Sequence, residues 1–441
     1  MSRRTLLIVL GALVLLLALT PLVPRGGGER GGLEPSGDHE ASRLRPARTA
    51  GFSPVTAAAR AEIDRVVAAD RAVGRVSART APDQLAASLV RCAEFEGQRY
   101  CLGTGWTEDS PEEVAARAAT AARVAVARRT AGTINTGDLD AHAALLRRAA
   151  MSPTERAAAD RAELTAAARS IAKVWLLRHE IEGVPLPAGF LERHPEARAS
   201  TTAVPARVPN TAVPTRTPSP TRSPSPTRSP TRHPSATASA PTTKAPPSAD
   251  GSRYPSRSTI LDPKDVAEQT MTYWCGPTSM QMIAWGWHHK PRSQQHWADV
   301  LGTTTSGTSI NDMVRVVNRA TGWDDPNRAG PYVVLDVGKY TYGQWMVLME
   351  RHIADYRAPV VLHPILLKRF YPYLDDDASG HYQVGRGYAK RGRKPNQISY
   401  FEPWNQQRFD PSEPYIARVQ WRDAYSSYRA NLAHYAHNVG V

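Results

Sequence analysis

Between residues 199 and 256 the chain cannot fold on itself, and that stretch decides how the rest is arranged. Thr217-Pro218-Ser219-Pro220-Thr221-Arg222 is followed by Ser223-Pro224-Ser225-Pro226-Thr227-Arg228 and then by Ser229-Pro230-Thr231-Arg232. Such a segment has no apolar residues to bury. Its prolines hold it extended at about 3 Å per residue, so it reads as a disordered linker. It is long enough to cross much of a cell-wall layer, and its Ser/Thr-Pro density permits O-glycosylation. It divides the 441 residues into a part before it, residues 51–198, and a part after it, residues 257–441.

The two parts differ in composition. Of ten tryptophans, only Trp106 and Trp175 precede residue 250. The formal net charge of +14 invites a nucleic-acid reading, but its distribution argues against one. The linker carries +6 and residues 257–441 only +4, with 21 basic and 17 acidic side chains. A folded basic stripe that tracks phosphates is therefore not expected, and no nucleic-acid partner is. Attraction of the basic linker to an anionic cell-wall polymer or membrane surface fits better.

Ahead of both parts, Arg3 and Arg4 precede an uncharged run over residues 6–23. Residues 1–24 read as a signal peptide or an N-terminal membrane anchor, and everything downstream is expected outside the cytoplasm. Leu16 stands where a cleavage site needs a small residue, which favours the anchor over the secreted form. Residues 25–50 are rich in Gly, Arg and Glu and are expected to be disordered. Residues 51–198 are alanine-rich and read as a separate, mainly α-helical domain. Ser110-Pro111-Glu112-Glu113 and Ser152-Pro153-Thr154-Glu155 have the capping-box form with proline at the first helical position, and the second should open a helix through Leu177. Cys92 and Cys101 enclose a hairpin-sized loop centred on Gly97. In an exported chain they are expected to form a disulfide; a metal-bound pair would lack third and fourth ligands. That pairing leaves Cys275 as the odd cysteine.

Cys275-Gly276-Pro277, followed by an apolar run to Trp287, reads as a helix beginning at the cysteine, with proline in its first turn. A thiol at a helix N-terminus is favoured as thiolate, so fast alkylation of Cys275 is expected. Gln269, six residues earlier, could offer its side-chain amide to an oxyanion beside the Cys275 backbone N–H. Downstream, Gly380-His381-Tyr382 opens a strand-like run, and residues 398–401 form a second strand that ends on Glu402-Pro403. The order is cysteine, histidine, acid. This constellation resembles the papain-like cysteine peptidases of the bacteriocin-processing kind, family thirty-nine in its broad "-like" sense. The resemblance rests on Gln269, the segment from Tyr273 to Ser279, Gly380-His381-Tyr382 and Glu402-Pro403. It covers roughly residues 260–441, a little over two-fifths of the chain. The family usually carries Asp-Pro where this chain has Glu402-Pro403, so the orienting role is open between Glu402 and, in reserve, Asn405.

The resemblance implies an α+β, two-lobed papain-like domain over residues 257–441. It also implies a peptidase in which Cys275 attacks, His381 moves protons, Glu402 orients His381, and Gln269 with the Cys275 N–H holds the oxyanion. The expected substrate is a peptide or protein. Two other classes stay open, a peptidoglycan stem-peptide amidase or endopeptidase and a non-catalytic wall-associated binding module. No cofactor is expected, and no metal: His288, His289 and His296 lack partners at ligand spacing, and Asp375-Asp376-Asp377 reads as a solvated turn.

Overall fold

The computed structural model describes residues 51–197, 254–321, 331–404, 406–409, 411–412 and 415–441. The expected signal or anchor, residues 25–50, all but the last three linker residues, Trp323 and Asn405 lie outside the described residues.

The first part contributes the helices α1 (Ala57–Ala72), α2 (Pro82–Leu89), α3 (Pro111–Thr130), α4 (Ala141–Ala150), α5 (Pro153–Arg169) and α6 (Ile171–Glu182). Both expected capping boxes are present, with Ser110 and Glu113, and Ser152 and Glu155, exchanging hydrogen bonds. The helix expected to run on from Ser152 breaks at Ser170. There the serine hydroxyl bonds back to the Ala167 carbonyl and accepts from the Trp106 indole N–H, an alternative to helix continuation. Gly183 then ends α6 in the left-handed region.

Three short strands, β1 (Cys92–Phe95), β2 (Gln98–Cys101) and β3 (Gly105–Thr107), interrupt these helices. The Cys92–Cys101 disulfide forms, closing a register pair of the β1–β2 hairpin. The second part adds β4 (Arg257–Thr259), β5 (Val334–Asp336), β6 (Val360–Leu362), β7 (Gln383–Ala389), β8 (Gln397–Phe401), β9 (Val419–Asp423) and β10 (Asn438–Gly440). Its helices are α7 (Cys275–His288), α8 (Gln294–Leu301), α9 (Ile310–Ala320), α10 (Tyr342–Glu350) and α11 (Ala424–Ala433). Ser309 caps α9, where the sequence offers Thr308 or Ser309, and α10 passes at Arg351 into a π-helical turn, although the spacing of Trp345, Leu348, Met349 and Ile353 predicts one α-helix over residues 342–356.

All ten strands belong to one sheet in the order β1-β2-β3-β5-β10-β6-β7-β8-β9, with β4 on the free part of the β7 edge. Helices beside a mostly antiparallel sheet agree with the α+β expectation. Residues 51–198 do not, however, stand apart as a separate domain. Strand β3 pairs in parallel with β5, Trp106 opposite Leu335. One apolar cluster runs from Val66, Trp106 and Trp175 through Leu335 and Trp345 to Tyr400. Arg117 bonds Asp336 at 2.7 Å, and buried Arg351 pairs with Glu180. The reason is that the β1–β3 strands bring an unpaired edge that only β5 of the second part completes. A second apolar cluster packs around α7, with Met280, Ile283, Val316, Val384 and Phe401 beneath Cys275.

Candidate active site

Cys275 is the first residue of α7, as its Gly-Pro context predicts, and is fully buried. Its sulfur receives the backbone N–H groups of Tyr382 and Gly276, which sets it beside the residue that follows His381. His381 is held by its own N–H on the Pro364 carbonyl at 2.9 Å. Its Nε2 lies 2.7 Å from Glu402 Oε1, so the proton belongs on Nε2 and the lone pair on Nδ1. Nδ1 is buried and has no hydrogen-bond partner. Glu402 also accepts from the Trp404 N–H (2.9 Å), the Tyr373 hydroxyl (2.9 Å) and the Gln383 amide (2.7 Å). Four donors thus converge on its two oxygens, and the Trp404 ring stands edge-on to His381.

Gln269 is anchored by its backbone N–H on the Pro403 carbonyl at 2.8 Å. Its Nε2 bonds the carbonyls of Thr272 (2.5 Å), Met271 (3.0 Å) and Thr136 (3.3 Å), two in its own loop and one from the first part of the chain. That third carbonyl belongs to a segment the sequence did not single out. Residues 135–139 run extended across the mouth of the site. Thr308 donates its N–H to Gly137 O at 2.8 Å and accepts from Leu139 N–H at 2.9 Å. On the other side Gly380 O accepts from the Thr136 hydroxyl at 2.8 Å and the Asp138 N–H at 3.4 Å. Gly137 has φ +118°, and a Cβ there would stand 2.7 Å from the Tyr273 carbonyl and 2.9 Å from the Cys275 nitrogen. Only glycine fits over that amide.

The Asp138 carboxylate enters a closed pocket of the second part. Oδ1 is 2.8 Å from His363 Nε2 and 3.4 Å from the Tyr382 hydroxyl, and Oδ2 is 2.9 Å from His434 Nε2. Burial alone would raise its carboxyl, but His363 and His434 outweigh burial and hold it well below the usual range. His434 is pushed down to about 4, by burial first and then by His363. Asp138, His363 and His434 converge within 4.8 Å, a donor set of metal-ligating type that sequence spacing did not reveal. No motif spacing joins residues 138, 363 and 434, so only the fold makes this cluster visible.

One expectation is corrected. Burial pushes the Cys275 thiol well above its ordinary range, and Asp138 and Glu402 add to it, against the two backbone N–H groups that lower it. The helix N-terminus does not prevail while the site is covered. His289 caps the end of α7 and His296 lies in α8, while Asp375, Asp376 and Asp377 are exposed, as expected.

Residues 262–431 match the model of the Peptidase C39 like family. The match covers the second part of the chain and sets its general class as a peptidase, hence a hydrolase. No curated protein and no solved structure matches the chain. Among the described residues, no helix is long and apolar enough to cross a membrane.

Proposed function

We propose that the chain is an exported cysteine peptidase that cleaves a peptide or amide bond through Cys275, His381 and Glu402. In this reading the second part takes the papain-like arrangement, with the cysteine on a helix and the histidine at a strand. One observation carries it: His381 gives its Nε2–H to Glu402 and keeps Nδ1 buried and unpartnered, one residue before the Tyr382 N–H that the Cys275 sulfur receives. That is the tautomer a general base needs, held before substrate arrives.

His381 Nδ1 takes the Cys275 thiol proton, and the sulfur attacks the scissile carbonyl carbon. The carbonyl oxygen becomes an oxyanion and faces the Cys275 N–H. Gln269 joins that N–H with the amide hydrogen now given to Thr136 O, freed when residues 135–139 leave. The intermediate collapses to a thioester as the C–N bond breaks, and His381 Nδ1 returns the proton to the leaving amine. Water then gives a proton to Nδ1 and attacks the thioester, releasing the acid and the thiolate. Glu402 keeps its hydrogen bond to Nε2–H throughout and stabilises the imidazolium of each half-reaction. The N-terminal hydrophobic run and the wall-length linker support an extracytoplasmic site of action, anchored or secreted.

The test uses full-length Gly137→Val, in which the added side chain expels residues 135–139, incubated with a peptide mixture and read by mass spectrometry. New cleavages should appear and vanish when Cys275→Ala is added. Equal cleavage with and without Cys275 would overturn the reading.

A further inference from the structure

Residues 135–139 could be an ordinary packing contact between two parts of one fold. Three observations say more. The segment pairs through its backbone on both sides, with Thr308 and with Gly380, as an extended peptide lies in a binding cleft. Its Thr136 carbonyl takes a Gln269 N–H, and Gly137 covers the Cys275 nitrogen, so a peptide bond of the chain itself lies at the reaction centre. Its one charged side chain then drops into a pocket lined with nitrogen donors, which packing alone does not require, since burying charges is costly without dedicated partners.

The pocket is built for a carboxylate. His434 Nδ1 accepts the Ala436 N–H at 3.1 Å, so the His434 proton sits on Nε2, facing Asp138. Asn438 gives its amide hydrogen to Thr104 O at 2.8 Å and therefore presents its oxygen to His363 Nδ1 at 2.7 Å. His363 Nε2 then faces a carboxylate oxygen at 2.8 Å, a distance that requires a proton between them. A metal ion would need the His434 Nε2 lone pair, which the Ala436 N–H on the other ring nitrogen excludes. Gly380 leaves room for the acid, since a Cβ there would lie 2.3 Å from Asp138 Oδ2. Beyond the segment, a cavity of about 600 Å³ opens from Asp138 and His434 past Ala121 and Tyr435, with room for more of a bound chain.

We propose that His363, His434 and Tyr382 form a side-chain-selecting subsite for aspartate in the peptide substrate, two residues from the carbonyl that meets Gln269. Residues 135–139 occupy that subsite as an intramolecular stand-in, so the substrate class is a peptide that carries an aspartate with a small residue before it. This rests on the peptidase reading above and names its specificity and its cover.

The probes are two peptides, acetyl-Asn-Thr-Gly-Asp-Leu-amide and the same peptide with Asn in place of Asp, titrated by calorimetry into full-length wild type and Gly137→Val. The uncovered chain should bind the aspartate peptide at least ~10-fold tighter than the asparagine peptide, because a site built for a charged partner rejects its neutral isostere. Wild type should bind neither. Adding His434→Gln to Gly137→Val should reduce the preference to about threefold or less. Equal binding of both peptides, or of neither, by the uncovered chain overturns the proposal. If Gly137→Val does not fold, Asp138→Asn loosens the cover at constant volume and is read in the same way. Calorimetry needs no working thiol. Selective binding without any turnover therefore defeats the peptidase reading alone, and turnover without selectivity defeats this one alone.

Discussion

Two buried carboxylates, Glu402 and Asp138, each meet histidine near Cys275, and they are held in opposite ways. Glu402 takes four donors, all from residues 373–404, close to it in sequence. It can leave only if that part of the fold melts. Asp138 meets its histidines after an excursion of 225 residues to His363 and 296 to His434, on a segment tied mainly by backbone pairing. It can leave while both parts stay folded. A permanent carboxylate suits an orienter of His381; a removable one suits a ligand.

The largest effect should come from breaking the permanent one. In the uncovered Gly137→Val chain, Glu402→Gln should lower turnover about ten- to a thousandfold. This is less than the roughly four orders of magnitude for a serine triad, because a thiol gives up its proton to the imidazole far more readily than a serine hydroxyl does. Glu402→Asp, the residue usual in the family, should retain more activity than Glu402→Gln. Unchanged turnover in Glu402→Gln with loss in Asn405→Ala would give the orienting role to Asn405.

Breaking the removable one should change access first. In wild type, burial holds the Cys275 thiol up and shields it, so iodoacetamide should label it slowly. Asp138→Asn removes one partner of a buried charge pair, typically a loss of about 3 kcal/mol, which corresponds to an increase in opening and in labelling rate of about a hundredfold. Peptide mapping that finds Cys275 equally slow in both chains would show that the segment is not what covers it.

The same contrast separates what the sequence disclosed from what it did not. The helix start at Cys275 and the pairing of His381 with Glu402 were legible because motif residues mark each locally: Gly-Pro after the cysteine, Gly before the histidine, Pro after the acid. The cap at Ser309 and the α10 start were legible because they depend on neighbours within one helical turn. The union of the two parts was not legible. It rests on three strands of three or four residues, whose pattern means nothing until β5 pairs with β3. Asp138 was also hidden, since no motif for chemistry marks Thr136-Gly137-Asp138 in the sequence. Its chemistry appears only when Gly380 and Thr308 close on it.

A third effect, about twentyfold, should follow pH. Asp138, His363 and His437 all face His434, and Arg117 stands behind His437. Burial, His363 and His437 push the His434 pKa down, while Asp138 pulls it up, leaving it at about 4 in the covered fold against about 6.5 when exposed. A depressed histidine stabilises the covered state fully above pH 6.5 and loses that contribution as pH falls towards 4. Asp138 stays ionised across this window, its own contribution being lost only below about pH 4. Amide exchange at Leu139 and Thr308, corrected for intrinsic rates, should therefore quicken about twentyfold from pH 7 to pH 5. His434→Gln should flatten that rise; an unchanged slope in the variant would assign it to another group.

The smallest expected effect is none at all, and it decides what kind of pocket holds Asp138. Two histidines and an aspartate within 4.8 Å would ordinarily be read as a metal centre. In such a centre the ligating nitrogens carry no proton and the far nitrogens donate to the second shell. Here His363 meets the second half of that rule through Asn438 but faces the carboxylate with a proton on Nε2, and His434 breaks the rule altogether, because its far nitrogen accepts a backbone N–H. Dialysis of the full chain against EDTA should thus leave its melting temperature and the Cys275 labelling rate unchanged. Added zinc should not raise the melting temperature, as any ligand that binds only the folded state must. Stabilisation by zinc that disappears in His434→Gln would show that His434 turns its proton to Nδ1. The Asp138 pocket would then be a metal site, and the comparison with Glu402 would have to be redrawn as orienter against ligand field.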